Sequence, residues 1–263
     1  MLRIMWNGRS AMMAQQDKLD CISNNVANQN TEGYKREDVT FKDLMYEKLD
    51  RRGYPVNKGE NKNLITGSGV KAGQWIRDNK QGVLINTGVN TDLAIDGEGY
   101  YRVKDANGEF KYIRSGSFNI DNSGNLVDKS GNKLEIEYSE EYVEDIPKFT
   151  QDNFIVREDG SVTIKENNSN GATTKEVGKI RIYNAVGQDA FISVGDNLYM
   201  PKDGVNPTVV NSNTKQGFVE GSNVDISKEM TDMIMSQRAF EFGSKAIKAG
   251  DDMWGIVNGL RGK

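Results

Sequence analysis

The 263 residues hold 28 glycines, 4 prolines, 36% hydrophobic residues and a formal net charge of −4, and the lack of a long basic run argues against a cationic nucleic-acid-binding face. The complete lack of histidine removes Ser-His-Asp and Cys-His catalysis and histidine-ligated metals. The single Cys21 removes an internal disulfide framework, and no apolar run approaches the roughly 20 residues of a membrane-spanning helix.

The pattern predicts a first helix from about Leu2 to Asn28. Met5, Met12, Leu19 and Val26 fall seven residues apart on it. A seven-residue apolar repeat keeps one seam facing a partner and is the signature of helices winding round one another. Gly8 weakens this helix by about 1 kcal/mol relative to alanine. Cys21 reads as a small hydrophobe beside the seam. The first residues are amphipathic, without the continuous apolar stretch of a secretion signal, so no cleaved signal is expected.

An Asn-rich run, Ser23 to Lys35, follows. It carries Asn24, Asn25, Asn28 and Asn30, then Gly33, Tyr34 and Lys35. Asn and Gly stop a helix because they tolerate left-handed backbone. So many amides exceed what a stop requires, and amides that donate and accept can tie a chain reversal together or bridge to a neighbouring subunit. Residues 37–69 are polar and turn-rich, including Arg51-Arg52-Gly53-Tyr54-Pro55. They predict an extended arm or loop, and one that long should order against neighbouring subunits.

From Val70 to about Gly217 the apolar period becomes two. Strands are predicted at Leu93–Ile95, Tyr100–Val103, Lys111–Arg114, Phe118–Ile120, Asn125–Val127, Lys133–Ile136, Phe154–Val156, Ser161–Ile164 and Lys179–Tyr183. Asn107-Gly108, Asn122 to Asn125, Ser130 to Asn132 and Asp159-Gly160 break them with hairpin-turn residues. The pattern fits an antiparallel β domain, either a barrel or a sandwich of hairpins.

The last forty residues return to the seven-residue repeat in Ile226, Met233, Phe240, Ile247 and Trp254. Ser222 or Asn223 is the expected cap of this second helix, with Asp225 and Glu229 favourably placed near its start. Ser236, Gly243 and Gly250 follow three residues after seam positions. Small residues there let backbones approach closely, although the glycines would equally serve a bend.

The Asn24–Lys35 run, the opening Leu2-Arg3-Ile4-Met5-Trp6, the stretch Thr91 to Val103, the hairpins over 112–131 and the segment around Gln237-Arg238-Ala239-Phe240 together resemble the bacterial flagellar axial proteins of the rod and hook. The distal-rod branch is the most similar. Resemblance covers most of the chain and is weak in 137–175 and in the 50s and 60s. It implies a structural subunit of the basal body, exported without a cleaved signal. The implied partners are copies of itself, neighbouring axial proteins and the flagellar export apparatus.

The expectation is therefore an α+β protein, with terminal coiled-coil-type helices (1–36 plus 222–263) enclosing a β-rich outer domain (70–221). The expected assembly residues are the two stripes, Asn24, Asn25, Asn28, Gly33, Tyr34, Lys35, Gly243 and Gly250. No catalytic, metal or cofactor residues are expected. A carboxylate pair such as Asp96 with Glu98 has the residue types of glycoside chemistry, but carboxylates are common on any surface. The competing reading is an unrelated soluble coiled-coil oligomer displaying β heads. One apolar stripe does not repay the ordering of about sixty residues, so the ends should be protease-sensitive in a monomer and protected in a filament. With a buried seam, Leu19→Ala or Ile247→Ala would cost about 2–5 kcal/mol.

Overall fold

The computed structural model describes residues 2–48, 65–139, 142, 147–168, 171–187 and 190–261. The expected loop around Arg51–Pro55 lies outside the described residues. Helix α1 (Leu2–Ala27) and helix α2 (Ile226–Arg261) flank a mostly antiparallel β region. The chain forms two compact units. One contains α1, α2 and the strands within 37–76; the other contains residues 28–36 and 77–224.

In the helical unit, α2 starts where Asp225 takes the capping position. Its Oδ1 accepts from the backbone N–H groups of Ser227 (2.9 Å) and Lys228 (3.3 Å), satisfying donors that the first helical turn leaves open. This corrects the expected cap at Ser222 or Asn223. Asn223 is engaged elsewhere, accepting from Arg36 N–H and donating to the carbonyls of Asp78 and Lys80. The described parts of the expected arm are strands. Glu37–Asp43 pairs with Val70–Arg77, and Tyr46–Lys48 pairs antiparallel with Ile65–Gly67. The Thr40 hydroxyl donates to Gln74 O at 2.9 Å and accepts from Gln74 N–H at 3.1 Å.

In the β unit the largest sheet runs through strands 191–195, 198–201, 110–113, 100–104, 133–134, 126–127 and 119–120. A four-stranded sheet follows the order 137–138, 171–179, 161–168 and 154–156. Side chains alternate across a strand, and Tyr100–Lys104 shows the effect. Tyr101 and Val103 enter the main core with Leu93, Ile95, Phe118, Phe154 and Val162. Tyr100 packs with Tyr112, Tyr183, Phe191 and Tyr199 instead. This sheet is thus apolar on both faces, which obscures simple inside–outside alternation.

The glycines at the four expected hairpin turns (108, 124, 131 and 160) have left-handed φ of 80° to 86°. The expected single strand Lys179–Tyr183 is instead broken. Lys179 ends a strand paired with Ser161, and Ile182 begins another that pairs with Tyr101 and Val210, so the chain passes from one sheet to another between them.

A buried charge cluster fastens residues 33–36 into this unit. Lys35, Arg114 and Glu220 are 2%, 3% and 1% exposed. Lys35 Nζ donates to Glu220 Oε1 at 2.7 Å and to Lys80 O at 2.8 Å, while Arg114 Nε donates to Glu220 Oε2. Gly82 N–H donates to Oε1 at 2.7 Å. Beside it Gly33 has φ of 69°, and a Cβ there would stand 2.6 Å from Ser115 N, so glycine is required twice over.

Candidate assembly interface

The helices of the first unit lie antiparallel, with Met5 against Gly250, Met12 against Gly243 and Asn25 against Glu229. At Gly8 and Gly243 the two backbones nearly touch. A Cβ on Gly8 would meet Ile247 Cγ1 at 3.0 Å and Gly243 O at 3.3 Å. A Cβ on Gly243 would meet Met12 Cγ at 2.7 Å and Gly8 O at 3.4 Å. Gly250 is next, at 3.2 Å from Met5 Cγ. The helix runs unbroken through both glycines, and close approach is the use the contacts show for them.

The α2 face turned to α1 is therefore Glu229, Ser236, Gly243 and Gly250, itself a seven-residue repeat. The large repeat lies beside it and is less covered within the chain. Ile226, Phe240 and Trp254 are 41%, 37% and 38% exposed, while Met233 and Ile247 are half-buried. On α1 the stripe Met5, Met12, Leu19 and Val26 is half-buried. Truncating Leu19 or Ile247 in the isolated chain should then cost less than full burial implies. The full 2–5 kcal/mol is expected only where neighbours complete the packing, and comparing melting of the isolated chain with that of assembled material checks this.

The Asn-rich signature divides between the units. Asn25 is fully buried in the helical one. Its Nδ2 donates to Glu37 O (2.8 Å) and Glu229 Oε2 (3.1 Å), and its Oδ1 accepts from Glu37 N–H (3.0 Å), so one amide ties α1, the following strand and α2 together. Asn28 caps the helix end by accepting from the Thr31 hydroxyl and N–H, and Asn24 is exposed. Gly33, Tyr34 and Lys35 are buried in the β unit.

The sequence marks Glu229 as a helix-dipole residue, and the structure adds that it is a buried partner of Asn25. The signal was present: Glu229, Ser236, Gly243 and Gly250 repeat every seven residues, but as a small and polar row rather than an apolar one. The stripes also left out Ile4, Trp6, Met13, Met230, Ile234, Met235, Phe242 and Ile256, all exposed.

Cys21 fits the inert reading. Its thiol donates to Glu37 O at 3.1 Å, and burial, opposed by Lys18, pushes its pKa up to about 12. Only the thiolate is nucleophilic, so alkylation at pH 8 should run roughly a thousandfold below that of an ordinary cysteine. Labelling of the folded chain at a free-thiol rate would refute this.

Among the described residues no helix is long and apolar enough to cross a membrane. Residues 5–35 match the family described as flagella basal body rod protein. Residues 94–164 match the flagellar hook protein FlgE/F/G D1 domain, and 215–260 match the flagellar basal body rod FlgEFG protein C-terminal. The chain is 35% identical to the flagellar basal-body rod protein FlgG of Borreliella burgdorferi, covering 99% of both chains. It is 36% identical to FlgG of Agrobacterium fabrum over 98% of both, and 34% identical to FlgG of Bacillus subtilis over 96% of this chain and 97% of the relative. Matched at both ends and in the middle, and alike over its whole length, the chain belongs to the flagellar basal-body rod family, whose members are structural proteins rather than enzymes.

Proposed function

We propose that this chain is a structural subunit of the distal rod and polymerises, with copies of itself and neighbouring axial proteins, into a hollow drive shaft through its terminal helices. The observation that carries the reading is the helix pair. Two helices joined by a small-residue row leave large apolar side chains outward on their remaining faces, among them Trp6, Met235, Phe242 and Ile256 at 62%, 64%, 69% and 65% exposure. Apolar surface of that extent on a chain so rich in charged residues is the mark of an interface. Further copies packing on these faces would form coiled-coil-type contacts over the half-covered stripes.

Passage through the flagellar export apparatus without a cleaved signal fits ends whose packing is completed by partners. Deleting 2–27 or 226–261 should abolish rod formation and motility. Native polymer from either truncated chain would overturn the assembly role. In the monomer, hydrogen exchange at both ends should be faster than in the β unit and should slow on assembly.

A proximal-rod or hook-related role is the second reading, favoured by 28% identity over 99% of the chain to the flagellar hook-basal body complex protein FlhP of Bacillus subtilis. Complementation separates the two. A distal-rod subunit restores motility to a strain lacking its FlgG and not to one lacking the paralogue.

A further inference from the structure

Within the β unit an open cavity of about 310 Å³ is lined by Lys35, Arg114, Asn79, Glu98, Tyr100 and Asn184, among others. Lys35 and Arg114 are the buried cations that share the single carboxylate of Glu220, so two positive charges face one negative and the trio carries a formal charge of +1. Their donors are unevenly used. An ammonium has three N–H groups and a guanidinium five. Lys35 spends two, on Glu220 and Lys80 O. Arg114 spends four, on Glu220 and the carbonyls of Gly99, Ile95 and Gly97. One donor on each cation is left without a partner among the described residues, and both side chains line the same cavity. Burial and the Arg114 charge hold the Lys35 ammonium below its usual pKa, against the pull of Glu220 and, more weakly, of Asp78. The one carboxylate in the lining, Glu98, is exposed and takes only a 3.4 Å contact from Asn184.

We propose that this cavity binds one oxyanion, a carboxylate or a phosphate, seated between the Lys35 ammonium and the Arg114 guanidinium. Charge-assisted hydrogen bonds to such a group are the strong kind, and a buried cation pair with one counter-ion gains most from a second. The amides of Asn79 and Asn184 stand in the same lining to take the remaining oxygens. The site is independent of polymerisation, so its failure would leave the rod reading untouched.

The test titrates inorganic phosphate and, separately, sodium acetate against the full-length protein at fixed ionic strength, with sodium chloride as control, following thermal midpoint and backbone NMR shifts. The expected result is a saturable response, with a midpoint rise of roughly 3–5 °C at tenfold excess over Kd, and with shifts at Gly99 and Asn184. Saturation by both anions assigns a carboxylate-sized seat that a protein side chain can fill. Saturation by phosphate alone assigns free phosphate. Asn79→Trp, at an exposed position, should obstruct the mouth and weaken binding at least tenfold. Glu98→Gln should tighten it roughly two- to fivefold at low salt. A response linear in anion concentration, as general salt stabilisation gives, overturns the proposal, and so does a Kd unmoved in both variants.

Discussion

Glu220→Ala should lower the stability of the β unit by about 3–5 kcal/mol, read as a fall in its thermal midpoint on the order of 10 °C. The cause lies in what is left behind. Glu220 is 1% exposed and accepts from Lys35, Arg114 and the Gly82 N–H at once. Its removal strands two buried like charges and an unpaired backbone donor. Glu220→Gln, which keeps the shape and one oxygen, should fall between the two. The exposed pair of Lys129 with Glu32, 2.9 Å apart at 68% and 34% exposure, supplies the contrast. Lys129→Ala should leave the melt unchanged within error, because screened surface pairs contribute little. If calorimetry showed Glu220→Ala as harmless as Lys129→Ala, the cluster would have no structural weight.

Gly243→Leu should separate the terminal helices and abolish rod assembly while the β unit melts normally. Two effects oppose each other here. Replacing an interior helical glycine gains up to about 1 kcal/mol of helix propensity. Against that, even the first carbon of the new side chain lies 2.7 Å from Met12 Cγ and 3.4 Å from the backbone of Gly8. Overpacking of this kind costs about 1–3 kcal/mol or more, and a leucine adds three carbons beyond the Cβ. Gly255 and Gly259 discriminate, since nothing lies within 4 Å of a Cβ at either. Alanine there should raise the helicity of the isolated chain. Circular dichroism and electron microscopy of polymers would show both outcomes, and intact polymer from Gly243→Leu would disprove the close approach.

Much of this architecture was legible because it is local. The ends of α1, the hairpin glycines and most strands follow from the period of the apolar residues and from residues that tolerate left-handed backbone. What escaped is non-local. The seven-residue repeat announces a helix partner, and Ser236, Gly243 and Gly250 announce a close approach, yet Glu229, which continues their row on α2, shows in the sequence only as a charge near the helix start. The row is set by how closely two backbones approach, and hydrophobicity does not report that. Glu220 likewise gave no sign of its role, since its partners stand 185 and 106 positions away. The extended arm expected over 37–69 is partly strand, and its pairing of Glu37–Asp43 with Val70–Arg77 and of Tyr46–Lys48 with Ile65–Gly67 joins segments too far apart in sequence for local pattern to reveal.

The bond between Asn25 and Glu229 joins residues 204 positions apart. Contacts of such separation carry a large loop-closure entropy and form late. During synthesis α1 emerges about two hundred residues before the helix it packs on, and the β unit has every strand it needs before α2 exists. The order of folding is therefore set by chain topology: strands first, the two ends last. The junction that closes latest is the one that neighbouring copies are proposed to cover, so its protection should rise with protein concentration where that of the β unit does not.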